Sequence, residues 1–450
     1  MKLAKLSLAA IVVAGLASST FAASDTLADA FKNGKVSGEL KAWYFDQSAD
    51  GQDAKGTNSA LKAGHNNNSN IMTAGINLGF VTDSFYGFTL GTTFQGSGNI
   101  GSAETKAKST FKNDEYTGGG VLSEAYIAYT LSKTTVKVGR QFIDTPLVSG
   151  SGSRMYKEAF EGAVIINTDL PQTTLIAGYV DRFQGRTSAI SSDTVVTTGD
   201  APKFRNSAAF TGAQQGGVIL SFDDGYTLGV INSSITNLKL TAQYAIVTNV
   251  ADLDDVDVYY TEANYVLPVS GFKLGLDANF RGSKAGSAID NLANVNLDGK
   301  YTAARISISE LAGFGASFAY GTVSKGDSVV AGMGNGPTSY TSTMIRGTST
   351  RMMADTDSYL FAATYDFSKL GVAGLTALAQ YGWTSEGKNA IVWNGTASDY
   401  TNIAAGVTYA VPALKGLTTS LQYETQEKEL KTTNAKTDTD ELWFKAGYKF

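Results

Sequence analysis

The sequence predicts an all-β fold, a transmembrane antiparallel β-barrel of about 18 strands. Three observations predict it: apolar and polar residues alternate along most of the chain, the connections between these runs are short and long in turn, and the final run ends on Phe450. Because successive residues of a strand point to opposite faces, each run gives one apolar and one polar face.

The C-terminal run, residues 441–450, has an apolar or aromatic side chain at every second position. A soluble protein rarely ends on an exposed strand with an aromatic terminus. In a closed barrel the last strand pairs with the first, so we expect residues 440–450 to lie antiparallel to residues 35–46 and to leave no free edge.

The N-terminus predicts secretion. Lys2 and Lys5 precede an apolar stretch from Leu6 to Leu16, and small residues follow as far as Ala22. The stretch is shorter than the roughly 20 residues that a membrane-spanning helix needs, which favours a signal peptide cleaved after Ala22. The predicted domains are therefore a signal peptide, 1–22, and a barrel domain, 23–450.

The composition excludes several classes of function. Charged residues make up 17% of the chain, fewer than the roughly 25% of average soluble domains, although hydrophobic residues make up 43%. There is no Cys, and the only His, His65, lies in a polar segment that reads as a surface loop. We predict no metal and no cofactor, and the net charge of −5 gives no basic footprint for nucleic acid.

The alternating runs define the individual strands. The least certain region is 184–225, where residues 217–222 form either an additional strand or the true eighth strand. The predicted strands are 35–46, 70–81, 85–96, 121–131, 134–142, 159–168, 172–183, 226–233, 237–248, 256–267, 271–281, 299–309, 313–323, 357–368, 374–385, 400–411, 416–427 and 440–450.

The connections indicate orientation. Barrels of bacterial outer membranes have tight periplasmic turns and longer external loops, and an even strand count puts both termini on the periplasmic side. We therefore expect the bacterial cell outer membrane as the location. The predicted long loops are near 47–69, 97–120, 143–158, 184–225, 249–255, 282–298, 324–356, 386–399 and 428–439.

The third external loop, 143–158, places both signs of charge in one short segment. In a narrow lumen of low dielectric constant such charges act strongly on a passing ion. The alternative interpretation is a solvated loop that touches no solute. The predicted constriction residues are Asp144, Arg154, Lys157 and Glu158.

The polar faces of the strands supply a further set of charges. A Lys or Arg that faces lipid at mid-membrane costs roughly 2–4 kcal/mol, so we assign the charged faces to the lumen. Salt bridges that merely fill space are the alternative interpretation. Arg140 is an exception, because strict alternation places it on the outer face with Val138. The predicted lumen-lining residues are Glu39, Lys41, Lys273, Asp277, Arg281, Arg305 and Lys445.

The segment around the third loop resembles the OprD family of specific bacterial outer-membrane porins. The resemblance rests on Gly139-Arg140-Gln141, then Thr145-Pro146-Leu147, then a Ser-rich stretch that ends at Arg154, then Phe160-Glu161-Gly162. The run from Val36 to Phe45 is similar to the first strand of the family. The resemblance implies an 18-stranded channel for small solutes, often carboxylate-bearing ones, with the third loop folded into the lumen.

The predicted function is passive diffusion of ions and small hydrophilic solutes through a water-filled channel. An enzyme is not expected, because a single His leaves no clustered acid–base groups, and a plug is not expected, because the first strand begins near Lys35. A surface adhesin or structural protein that uses its long loops is the alternative. The expected partners are membrane lipid and small solutes. The sequence leaves the solute, bound ions and the choice between monomer and homotrimer open.

Overall fold

The computed structural model describes most of the chain, and the structural statements below concern the described residues. The predicted signal peptide, 1–22, and His65 lie outside them, as do parts of several long loops. The described residues are 24–52, 69–101, 118–186, 202–211, 218–293, 296–346, 352–387 and 397–450.

Eighteen antiparallel strands form one closed ring, and a two-residue strand, Phe204–Arg205, extends the sheet beside the seventh. The ring strands are β1 (Lys35–Gln52), β2 (Ser69–Val81), β3 (Phe88–Asn99), β4 (Gly119–Leu131), β5 (Thr134–Gln141), β6 (Ala159–Asn167), β7 (Thr173–Gln184), β8 (Gly225–Asn232), β9 (Leu238–Val250), β10 (Asp254–Val269), β11 (Phe272–Ala285), β12 (Lys300–Leu311), β13 (Phe314–Val323), β14 (Asp357–Asp366), β15 (Leu375–Ser385), β16 (Ser398–Ala410), β17 (Leu417–Leu430) and β18 (Lys436–Lys449).

The ring closes between the first and last strands, as the sequence predicts. β1 pairs with β2 on one side and with β18 on the other, and Glu39 lies opposite Lys449 in the second pairing. The carbonyl of Phe450 also accepts a hydrogen bond from the amide of Gly38, at 3.0 Å. No edge of the ring is therefore left to pair with another chain.

Each predicted strand overlaps one strand of the ring, and the differences lie mainly at the long-loop ends. β1 continues to Gln52 and β18 begins at Lys436, several residues beyond the predicted limits. The extended hairpins are polar: Lys436 bridges Glu427 of β17 at 2.8 Å. Strand pairing continues there without an apolar face, so the alternation that marks the membrane-spanning part no longer shows the boundary.

Residues 217–222 do not enter the ring. Val218–Ser221 pairs with Ser207–Thr211, which in turn pairs with Gly332–Met333 from a later loop. These three short strands form a separate small sheet, and the eighth ring strand is Gly225–Asn232. The main prediction for the eighth strand is confirmed, and the alternative is wrong.

Helical structure is sparse. A short helix, α1 (Leu27–Lys32), precedes β1, and its Phe31 stacks on Phe80 of β2 at 6.1 Å between ring centroids. A second, α2 (Ser287–Ala293), follows β11, and a 3₁₀ turn occupies Phe367–Leu370. Within the described stretches, no helix is long and apolar enough to cross a membrane.

The interior of the ring contains an apolar core on one side. Buried residues on the inner faces of β6 to β10 contact apolar residues of the third loop and of the small sheet. The sequence analysis expected the lipid-facing side to replace a core, and the structure adds this internal one. Its members include Ile143, Leu147, Val148, Val164, Ile166, Ile176, Val180, Phe210, Ile231, Val247, Val258 and Met333.

Closure can be tested by cross-linking. Ala42 and Ala446 lie directly opposite each other across β1 and β18, where Cα atoms are about 4.5–5.5 Å apart and within the range of a disulfide. The variant with Ala42→Cys and Ala446→Cys should therefore form one intramolecular disulfide. Mass spectrometry after thiol labelling should find no free thiol, since the natural chain has no Cys.

The matched control combines Ala42→Cys with Ala304→Cys, a position on β12 across the ring. This pair should keep both thiols free. Equal labelling of the two double variants would show that β1 and β18 are not neighbours.

Candidate functional site

The third loop, residues 142–158, makes contacts on both sides of the ring. Lys41 of β1 donates to the Met155 carbonyl at 3.1 Å, and Lys445 of β18 donates to the Ser153 carbonyl at 3.1 Å. From the other side, Arg281 of β11 donates to the Pro146 carbonyl at 3.3 Å. Since β1 and β11 are eight strands apart by the shorter way round, these contacts span the interior.

The two ends of the third loop are held by the motifs that carry the family resemblance. Gly139, Arg140 and Gln141 lie opposite Gly162, Glu161 and Phe160 across β5 and β6. Arg140 binds Glu161 at 2.8 Å, which accounts for a charge on the outer face.

Two glycines of this lock are required by geometry. Gly139 has φ +119°, and a Cβ there would lie 2.3 Å from the Ala125 carbonyl oxygen. A Cβ on Gly162 would lie 2.0 Å from the Tyr179 carbonyl oxygen. The backbones of neighbouring strands therefore approach too closely at these points for any side chain.

Two of the four predicted constriction residues form an ion pair within the loop. Lys157 lies 3.5 Å from Asp144, whose other oxygen accepts from Ser149 at 2.7 Å. The backbone of Lys157 is fixed by Gln95 of β3, which donates to its carbonyl at 2.8 Å and accepts from its amide at 2.9 Å. Both charged side chains remain about 30% exposed.

Glu158, also predicted at the constriction, is fully buried. Its carboxylate accepts from the Ser151 amide at 2.9 Å and from the amide and side chain of Asn335 at 2.9 and 2.6 Å. Arg186 lies 3.5 Å away. This geometry joins the third loop to the loop that carries Asn335.

The fourth predicted constriction residue, Arg154, lies in a cluster of cations and aromatic rings. Its guanidinium carbon is 4.7 Å from the centre of the Trp443 ring. Lys445 is 4.3 Å from the same ring and 4.5 Å from Trp43, and Lys41 is 4.9 Å from Trp43. We call these five residues the cation–tryptophan cluster. Glu39, predicted in the lumen beside them, is 3.9 Å from Lys41.

Three more predicted lumen residues lie on β11 and β12. Asp277 is buried, and Arg305 approaches one of its oxygens through two nitrogens, at 2.9 and 2.8 Å. Lys273 binds Glu310 at 2.7 Å, and both side chains are exposed at the short-turn end. Arg281 is treated separately below. The predicted basic residues of this wall thus occupy different surroundings, with two of them in ion pairs.

The seventh loop, residues 324–356, was not predicted to enter the interior, yet its described part contacts the inner wall. Glu424 of β17 accepts from Thr343 at 2.6 Å and from the amides of Ile345 and Arg346 at 2.8 and 3.2 Å. Arg346 also pairs with Glu441 of β18.

The opposite end of this loop segment is held by other carboxylates. Tyr340 donates to Glu262 of β10, and Asn335 is bound by Glu158 as described above. Burial, together with the neighbouring Glu262, raises the pKa of the Tyr340 phenol, which keeps it a donor at neutral pH. Four carboxylates therefore anchor residues 335–346.

A signal for these anchors exists in the sequence. Glu262 falls on the inward-facing half of its alternating run, and Glu424 and Glu441 occupy equivalent positions in theirs. Alternation shows only that such carboxylates face inward. It does not show that a loop more than seventy residues away in the chain supplies their partners.

The described part of the chain contains no group of three His, Cys, Asp or Glu side chains placed to hold a metal ion.

Comparison with protein families identifies the chain. The family described as outer membrane porin, OprD family, matches residues 29–450. The chain belongs to the OprD family. It is therefore an outer-membrane porin, and the predicted family and location are confirmed.

Solved structures of Pseudomonas aeruginosa porins share the fold of this porin. OpdO is 16% identical, with a TM-score of 0.69 over 94% of this chain and 98% of that chain. OpdK with vanillate is 15% identical, with a TM-score of 0.70 over 93% and 99%, and OpdQ is 18% identical, with 0.67 over 94% and 99%. Comparison with curated proteins gave no match.

These comparisons bear on the predicted functions. The fold and family are those of channel proteins, and the confirmed function is that of a porin for small solutes. They give no support to the adhesin alternative.

The anchoring of the seventh loop can be tested at Glu424. Glu424→Ala removes the acceptor of four hydrogen bonds, one of them from Asn402, and loss of a buried anchored charge is expected to cost about 3–5 kcal/mol locally. The amides of Ile345 and Arg346 should then exchange hydrogen at least tenfold faster, as measured by mass spectrometry of the porin in detergent.

Glu427→Ala is the control, because Glu427 lies on the same strand but is exposed and pairs only with the exposed Lys436 in the described structure. It should leave exchange at both amides unchanged. Equal exchange in the two variants would contradict the anchoring role of Glu424.

Proposed function

We propose that this porin passes small hydrophilic anions, carboxylate-bearing solutes among them, by passive diffusion. The observation that carries the proposal is the cation–tryptophan cluster, in which Arg154 of the third loop meets Lys41 and Lys445 of the wall. Three positive charges in one part of a narrow lumen lower the energy of a passing anion and raise that of a cation.

The acidic residues of the interior support the same direction of selectivity. Glu158 and Glu424 are fully buried, and Glu441 is nearly so. Each accepts hydrogen bonds from loop groups, so these carboxylates are used to hold the loops. A carboxylate that is buried and bound contributes less to the potential felt by a solute than an exposed one.

The two inner loops define the proposed constriction. The third loop presents Arg154, and also Lys157 with its partner Asp144, while Glu158 positions the loop from behind. The seventh loop fills part of the remaining width through residues 335–346. The apolar core on the β6–β10 side leaves the β12–β18 and β1–β4 side for solutes, which places the proposed path along Glu39, Lys41 and Lys445.

The solute class is supported by a structural relative. OpdK was crystallised with vanillate, an aromatic carboxylate. The cation–tryptophan cluster offers both a positive charge for a carboxylate and flat rings for an aromatic group. We infer that the porin acts as a channel and not as an enzyme, since no arrangement in the described residues favours a particular reaction.

We also propose that the porin assembles as a homotrimer. A concave apolar groove of about 560 Å³ lies on the wall from β13 to β18, with Ala363, Ala379 and Ala405 among its lining residues. Small side chains at such a place allow a neighbouring barrel to approach closely.

Conductance tests the proposed channel. The purified porin in a planar bilayer should give stepwise conductance with a reversal potential, in a KCl gradient, that favours chloride. Arg154→Gln removes one charge whose interaction with an ion is about 1 kcal/mol or more, so the ratio of anion to cation permeability should fall about fivefold.

Arg182→Gln is the control, since Arg182 pairs with Glu161 and Asp181 at the long-loop end of the wall. Its permeability ratio should match that of the natural protein. Absence of conductance would contradict the channel, whereas an unchanged ratio in Arg154→Gln would remove that residue from the constriction.

Native mass spectrometry tests the assembly. The porin released from lipid nanodiscs should appear as a trimer, and Ala379→Trp, which fills the groove, should shift it to monomer. Ala304→Trp, on the outer face of β12, should leave the trimer intact. A natural protein that is entirely monomeric would contradict the proposal.

A further inference from the structure

Arg281 is a buried cation on the inner wall, in one row with two tyrosines. Tyr260 of β10, Arg281 of β11 and Tyr301 of β12 lie opposite one another in register, and all three are at least 94% buried. One guanidinium nitrogen, Nη2, donates to the Pro146 carbonyl at 3.3 Å. The other two, Nε and Nη1, have no hydrogen-bond partner among the described residues.

Two further polar atoms beside Arg281 share this condition. The Tyr301 hydroxyl faces Ser339 and Thr341 of the seventh loop but forms no hydrogen bond of acceptable geometry with a described residue. The side-chain oxygen of Asn279, two residues from Arg281 on the same face of β11, is also buried and without such a bond. Four unpartnered atoms on three adjacent side chains thus lie beneath both inner loops.

A neighbouring arginine shows what the site lacks. Arg305 on β12 is neutralised by Asp277 through two contacts shorter than 3.0 Å. Within the described residues, no carboxylate lies within 4.0 Å of Arg281. Glu262 is nearby on β10, but its Oε1 accepts from both Tyr340 and Asn264.

Burial of a guanidinium without a counter-charge is expensive, costing several kcal/mol even after relaxation. Arginine and the tyrosine hydroxyl present donors, so the group that satisfies them must be an acceptor, and a negative charge satisfies Arg281 best. The Asn279 amide becomes a third donor when its oxygen and nitrogen exchange places, an assignment that coordinates at ordinary resolution do not fix.

We propose that Arg281 and Tyr301 bind one small inorganic anion, of the size of chloride, as a resident counter-ion. The anion connects the wall at β11 and β12 with the third loop at Pro146 and the seventh loop near Ser339. Enclosure by these segments excludes organic carboxylates. The site is separate from the cation–tryptophan cluster across the ring and does not rest on the proposed passage of anions.

Anomalous diffraction tests the site directly. Crystals of the full-length porin grown in sodium bromide should show an anomalous peak within hydrogen-bond distance of Arg281, and crystals of Arg281→Met should lack it. A peak that persists in Arg281→Met, peaks at exposed lysines only, meaning an adventitious ion only, or a water molecule at Arg281 would each overturn the proposal.

Thermal unfolding gives a second measurement that needs no crystal. At constant ionic strength, replacing gluconate by chloride should raise the Tm of the natural porin, because an anion that binds only the folded state stabilises it. Arg281→Met should fold, since an apolar residue of similar volume is tolerated at a buried charge, but its Tm should not respond to chloride.

Lys273→Met is the matched control. It removes a cation from the same face of β11, but at an exposed position beside Glu310. Its Tm should keep the full response to chloride. An equal response in Arg281→Met and Lys273→Met, or no response in the natural porin, would overturn the proposal.

Discussion

The rest of this structure depends on one constraint, the requirement that no backbone N–H or C=O group be left unpaired in lipid. Only a closed ring of strands meets it, and the pairing of β1 with β18 completes that ring. Closure fixes which half of every alternating run faces inward. It thereby gathers the polar halves of eighteen strands around one lumen, where their charges are close enough to act on loops and solutes together.

Most of the interior carboxylates serve the loops. A loop that enters a lumen brings backbone amides with it, and these need acceptors as strictly as those of the wall do. Glu424 meets this need for Ile345 and Arg346, and Glu158 does so for Ser151 and Asn335. The consequence for charge is direct: a lumen with many acids on its inner face still presents its cations to the solute, because the acids are bound.

Local sequence was sufficient for the ring and insufficient for its contents. A period of two along each run predicted every ring strand, and the aromatic terminus predicted where the ring closes. The same period could not separate Glu158, which is buried against Asn335, from Lys157 beside it, which stays partly exposed. That distinction depends on a contact between residues 177 positions apart in the chain, and no local pattern records such a contact.

The apolar core inside the ring escaped the sequence analysis for a related reason. Val164 and Ile166 face inward while Ile165 faces outward, so this part of β6 is apolar on both faces and the alternation disappears. A strand that is apolar on both faces indicates burial on both. Applied to a barrel, that rule predicts a filled lumen beside such strands.

The motifs that identify the family are distinct from the residues proposed to select the solute. Gly139 and Gly162 are set by the close approach of neighbouring backbones, and Arg140 and Glu161 pair with each other on the outer face. These residues hold the two ends of the third loop together, and so any porin that folds this loop inward at the same place has a use for them whatever it transports. Selectivity then depends on what the held loop presents, which here is Arg154, and on what meets it from the wall.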